Sequence, residues 1–278
     1  MELYYCNIDN FGDKLNEYIF KQIFGIEIKH SSEKEAEIIG IGSILDKILK
    51  RNFNFFVPKN KLTVFGSGFG FSYDYYRKKI KYAYPLNFRR KLNILALRGF
   101  YSKHIAERIL KKDLDNIVLG DPGLLVHKLV DYGNVIKKYD VGIVPHYADQ
   151  ENPIFNKLNQ SINNSVILNT LENPITFLYK LAECKTVIST AMHPLIACDA
   201  LGIPNKWIRI SELTTSRFKF KDYYSIYNIM LEPLLLTEKF SEITKDFIES
   251  QYKVPREVVT RTQNALIDTF NRYLEIQS

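Results

Sequence analysis

Hydrophobic residues in this chain come in short runs that alternate with longer stretches of helical spacing. ELYYCNI (2–8) reads as a strand, and DKLNEYIFKQIFG (13–25) follows with Leu15, Ile19 and Ile23 along one helical stripe. EAEIIGIGS (35–43), KLTVFGSGF (61–69) and NILALRGF (93–100) are apolar runs that end in small residues. YSKHIAERILKK (101–112) has helical spacing, and NIVLGDPG (116–123) ends in a turn. The second half repeats the grammar. DVGIVPHYAD (140–149) and NSVILNT (164–170) read as strands. NPITFLYKLAEC (173–184) reads as a helix with Pro174 in its first turn. KTVIST (185–190) is a strand, MHPLIACDALG (192–202) a helix and IPNKWIRIS (203–211) a strand. Two amphipathic helices close the chain, at 237–250 and 256–276, the second after Pro255.

Fully apolar strands alternating with helices predict an α/β fold with parallel sheets covered on both faces. Periodicity is lost between 124 and 139, which places a hinge there. The expectation is two doubly wound domains, 1–130 and 131–278, the second carrying the two final helices. They would face each other across a cleft. A single large mixed sheet is the alternative.

In such a fold, ligands bind at the carboxyl ends of the strands, where the next helix offers free N–H groups and a positive dipole end. Each strand end here is small or polar: NIDNFGD (7–13), GIGS (40–43), GSGFG (66–70), RG (98–99), GDPG (120–123), PHYAD (145–149) and STAMH (189–193). Glycine allows close backbone approach, and serine with backbone N–H groups can form an anion nest. His193 stands where the strand KTVIST hands over to a helix, beside the hydroxyls of Ser189 and Thr190. A buried, hydrogen-bonded histidine and a plain N-cap are the structural alternatives there. GSGFG lacks GxGxxG spacing, which argues against a nicotinamide or flavin site. There is no GxxxxGK[ST] loop and no metal-ligand spacing.

Composition narrows the setting. The 278 residues are 46% hydrophobic, enough for a large core. Cys6, Cys184 and Cys198 form no CxxC pair and lie in apolar runs, as expected of reduced thiols in the cytoplasm. No signal core and no stretch of about 18 apolar residues is seen. Net charge is +7, and RKKIKYAYPLNFRRK (77–91) concentrates it among aromatics. That segment suits either an anionic membrane surface or simple solvation. Nucleic acid is not expected, because no binding motif accompanies the charge.

NFGDKLN (10–16), GIGSIL (40–45), FGSGF (65–69), LRGFYSK (97–103), LGDPGLL (119–125), VGIVPHYAD (141–149) and ISTAMHPLIACDALGIPN (188–205) occur in this order. Together they resemble the polysaccharide pyruvyl transferase family. KFKDYY (219–224) is similar to a segment of its exopolysaccharide ketal-pyruvate branch. The resemblance covers residues 4–225. It implies two Rossmann-like domains facing across a cleft (GT-B-like), with no metal and no cofactor. The implied donor is phosphoenolpyruvate. Its carbon skeleton would pass to two hydroxyls of a sugar as a ketal. The implied acceptor is a lipid-linked repeat unit of a surface polysaccharide, handled at the inner face of the membrane. Many members carry an arginine where this chain has Ala191.

Within this frame the expected catalytic residues are His193 as acid, Arg98 as the cationic clamp and Asp13 as acceptor base. The expected substrate-binding residues are Asn10, Gly12, Asn16, Gly42, Ser43, Ser67, Gly68, Gly99, His146, Ser189 and Thr190. The rival reading is a metal-independent GT-B-type glycosyltransferase using a nucleotide sugar. A third is a catalytically inactive binding protein of the same fold.

Overall fold

A computed structural model describes residues 1–47, 61–80, 91–210, 217–236 and 240–277, with 77–80 as backbone alone. Most of the basic segment 77–91 thus lies outside the described residues. The chain is a mixed α/β structure built on two sheets, and every strand pairing is parallel.

The first sheet uses β1 (Glu2–Tyr4), β2 (Lys29–His30), β3 (Ile38–Ile39), β4 (Leu62–Phe65), β5 (Leu92–Leu97) and β6 (Val118–Leu119), in the order β2-β1-β3-β4-β5-β6. The second uses β7 (Tyr139–Val144), β8 (Ser165–Ile167), β9 (Cys184–Ser189), β10 (Asn205–Arg209) and β11 (Leu234–Leu235), in the order β11-β10-β9-β7-β8. β4 is buried throughout and β9 nearly so, which explains their unbroken apolar runs. Chain order reverses beside β1 in one sheet and beside β7 in the other. At such a reversal the loops leave the strand ends in opposite directions and open a crevice.

The helices are α1 (Phe11–Tyr18), α2 (Tyr73–Ile80), α3 (Phe100–Leu110), α4 (Pro153–Ser161), α5 (Pro174–Ala182), α6 (Met192–Leu201), α7 (Arg217–Tyr224), α8 (Lys245–Gln251) and α9 (Arg256–Gln277). α1 is shorter than its stripe predicts, because Ile19–Ile23 continues as a π turn. GDPG leads into a 3-10 segment, Pro122–Lys128, capped by the Asp121 carboxylate on the Gly123 N–H at 2.8 Å. The penultimate helix starts only at Lys245, where the Thr244 hydroxyl caps it. α9 crosses back to the first sheet. Phe270 packs against Phe65 with centroids 4.6 Å apart, and Tyr273 bonds Thr63 at 3.2 Å.

Candidate active site

The loop after β1 starts α1. Asn10 caps the helix by accepting from the Asp13 N–H, and its amide donates to the Asp13 carboxylate at 2.7 Å. The Phe11 N–H donates to the Thr170 carbonyl at 2.7 Å, and the Phe11 ring lies 4.4 Å from Phe177. The first turn of α1 is thereby held against the second half of the chain. Gly12 then comes so close to α6 that a Cβ there would stand 2.0 Å from Nδ1 of His193. Only glycine permits that approach.

Opposite lies the turn after β9. Ser189 Oγ donates to the carbonyl of Val144 and accepts from the Ala191 N–H at 2.9 Å. Thr190 Oγ1 accepts from the His146 N–H at 2.7 Å, tying the β7 and β9 loops together. Both hydroxyls shape the crevice rather than line a free surface. Ala191 has no side-chain acceptor, so the first-turn N–H groups of Met192 and His193 receive no side-chain cap, while Pro194 has no N–H to offer.

A cavity of about 40 Å³ sits at this meeting point. Asn10 and Gly12 reach it from the first half, and His146, Tyr147, His193 and Lys219 from the second. His193 Nε2 is buried there without a hydrogen-bond partner among the described residues. Burial, then the charges of Lys219 and Arg98, push the His193 imidazole down to about 3. His146, which caps its own turn through Nδ1, is lowered to about 4 by burial and Lys219. Burial, and then the charge of Arg98, lower the Lys219 ammonium to about 8 against the opposing charge of Asp13. Burial raises the Asp13 carboxyl to about 6, against the Asn10 bond and the charge of Lys219. The site therefore holds a neutral imidazole beside a cation.

The remaining expected residues form a framework next to this cavity and do not line it. Arg98 is fully buried. It donates to the Asp222 carboxylate at 2.9 Å, to Ser43 Oγ at 2.6 Å and to the Phe69 carbonyl at 2.6 Å. Each nitrogen of its fork, expected to clamp the donor, is bonded to a protein group. Asn16 is likewise taken up, donating to the Ile41 carbonyl and accepting from its N–H. Ser67 bonds the Gly40 carbonyl, Gly68 donates to Gly42, and Gly99 lies against the backbone of Asp222. Lys219 was missed by reading strand ends, since it lies on a helix far along the chain. Its signal was the segment KFKDYY. Among the described residues no group of three or more His, Cys, Asp or Glu is placed to hold a metal.

The sequence model of the family described as polysaccharide pyruvyl transferase matches residues 3–211. The chain belongs to the polysaccharide pyruvyl transferase family. The matched stretch contains both strand reversals and every cavity residue named above except Lys219. The uncharacterized protein L143 of Acanthamoeba polyphaga mimivirus is 31% identical over 137 residues, covering 48% of this chain and 47% of that protein. The match thus spans about half the length of that curated relative. A functionally uncharacterized Klebsiella pneumoniae protein, KP1_0663, superposes with a TM-score of 0.48 at 15% identity, covering 85% of this chain and 92% of the other. The wall teichoic acid polymerase TagF superposes at 0.47 and 11% identity, covering 97% and 82%. Nothing about substrate follows from such distant superpositions. No helix among the described residues is long and apolar enough to cross a membrane.

Proposed function

We propose that this pyruvyl transferase family member moves the carbon skeleton of phosphoenolpyruvate onto two hydroxyls of a polysaccharide sugar as a ketal. The halves 1–130 and 131–278 act as two domains whose facing loops form the site. The acceptor is a lipid-linked repeat unit at the inner membrane face, which the basic segment 77–91 contacts. One observation carries the reading. His193, Lys219 and the uncapped start of α6 converge on one cavity against Gly12.

The donor brings a carboxylate and a phosphate. Lys219 and the first-turn N–H groups of α6 offer the matching positive charge, taking the place of the arginine replaced by Ala191. The neutral imidazole suits a proton shuttle. One sugar hydroxyl adds across the double bond, its oxygen to C2. His193 takes that hydroxyl's proton and passes it to the methylene carbon. A site that disfavours the imidazolium makes it a strong acid, as protonating carbon requires. His193 thus rests as a base and works as an acid. Phosphate leaves C2, the second hydroxyl closes the ring, and its proton departs with the phosphate as HPO4²⁻. Asp13 acts on the charge of Lys219 rather than on the acceptor. A cavity of about 40 Å³ holds only a few waters. Donor binding therefore requires the loop at 9–12 to part from the loop at 146–149.

The test is release of phosphate from phosphoenolpyruvate with a panel of lipid-linked saccharides, coupled to detection of the ketal by mass. His193→Ala should lower turnover by about 100- to 10,000-fold, the range for a positioned proton-transfer group. Lys219→Met should mainly raise the apparent donor constant. Consumption of a nucleotide sugar, with phosphoenolpyruvate left intact, would overturn the proposal.

A further inference from the structure

A second cavity, about 230 Å³, opens at the far end of α6. α6 starts beside the candidate active site and ends at Leu201. Ten helical residues span about 15 Å, so the two cavities are separate. The second one lies at the amino end of β10, whose first residues, Asn205 and Lys206, line it.

Asn205, Lys206, Tyr224, Gln251, Tyr252 and Lys253 line it. Neither lysine forms an ion pair among the described residues. Burial and the nearby charge of Lys253 push the Lys206 ammonium below its ordinary range. The carboxylate in the wall, Glu232, is held by Lys221 at 3.0 Å. Glu232 offsets Lys206 in part but is shared with Lys221, so the two lysines still repel across the cavity, and an anion between them relieves what remains. The rest of the wall suits a sugar. Tyr252 offers the face of its ring, its hydroxyl being bonded to Asp199, and Gln251 offers an amide. Asn205 is fixed from behind, donating to the buried Asp199 carboxylate at 2.7 Å and accepting from Tyr224 at 3.3 Å. The volume is below the roughly 300–1,000 Å³ of drug-sized pockets, which limits an occupant to about one sugar ring.

We propose that this cavity is a distal subsite for one anionic sugar unit of the polysaccharide, with its carboxylate between Lys206 and Lys253 and its ring against Tyr252. The inference rests on the proposed ketal transfer in one respect. Each ketal carries a carboxylate, so a modified chain presents such a unit. The subsite would hold a charged unit while the next sugar reaches His193.

Saturation-transfer NMR on the full chain with methyl glucuronide, methyl glucoside and inorganic phosphate tests this. Methyl glucuronide should bind at least tenfold more tightly than the neutral glucoside. The Lys206→Gln/Lys253→Gln variant should lose at least tenfold of that affinity, and His193→Ala should retain it. Equal binding by the double variant would overturn the subsite. So would loss in His193→Ala, or phosphate binding as tight as the glucuronide. The NMR reading needs no turnover. Ketal transfer can therefore fail while the subsite stands, and the subsite can fail while transfer stands.

Discussion

The surroundings of His193 penalise its protonated form, and stability should report it. Its imidazole is held down to about 3 by burial and by Lys219 and Arg98. In an unfolded chain a histidine titrates near 6.5. Between those values the unfolded chain carries a proton here that the folded chain refuses. Stability through this group is therefore lost as pH falls from 6.5 towards 3, by about 1.4 kcal/mol per pH unit. His146, lowered to about 4, acts in the same direction. Asp13 and Asp121, each raised to about 6, act in the opposite one, because the folded chain keeps protons that the unfolded chain has released. Only a difference between variants isolates His193. His193→Gln should lose less stability than wild type between pH 7 and pH 4, by about 3 kcal/mol in urea unfolding. Parallel acid limbs would show that the ring titrates as it does in water.

At the scale of elements, α7 is seated by one residue and carries the charge of the site on another. Asp222 is fully buried and accepts from Arg98 Nε, from the Ser102 N–H at 2.7 Å and from the Ser102 hydroxyl at 2.6 Å. Lys219 lies one turn earlier on the same face. A Cβ at Gly99 would stand 1.8 Å from the Asp222 carbonyl oxygen, a backbone atom that yields only if the helix moves. Gly99→Ala should therefore displace α7 and raise the apparent donor constant at least tenfold. The overpacking should cost about 1–3 kcal/mol in stability. Wild-type donor kinetics would show that α7 does not depend on this junction. Most of the strands and helices were legible because their periods are clean, as in β4, β9 and α5. α4 was missed, although Pro153 behind the capping Asn152 is a clear start signal. The π turn after α1 was hidden because Ile19 and Phe20 are buried whichever helix type they adopt.

At the scale of the molecule, the final helix fastens the second half of the chain to the first. The ring of Phe270 meets those of Phe65, Phe24 and Phe20 at centroid distances of 4.6, 4.4 and 5.4 Å. Gln263 donates to the Leu124 carbonyl at 2.9 Å, closer to the middle of the chain. Phe270→Ala should cost about 3–5 kcal/mol, as truncating a buried aromatic does. The urea midpoint should fall with little change in slope if the chain unfolds as one unit. An unchanged midpoint would show that α9 contributes nothing to the first sheet.

The sequence by itself determined the α/β class, the parallel sheets and the polar strand ends, because these follow from local periodicity and local turn chemistry. It also marked His193, Asn10, Gly12 and His146, which sit just past strands. Which of the decorated ends meet was decided only by tertiary structure. Strand order in space places the β1 loop opposite the β7 and β9 loops, and nothing local encodes that order. Ser43, Ser67, Gly68 and Arg98 look as much like ligand residues as His193 does, yet they form a framework. Arg98 is committed because its partner, Asp222, lies 124 residues away. Lys219 reaches the cavity because Asp222 seats α7 there. A charge becomes a ligand for substrate or a strut according to what stands beside it, and in this chain those neighbours come from the opposite half.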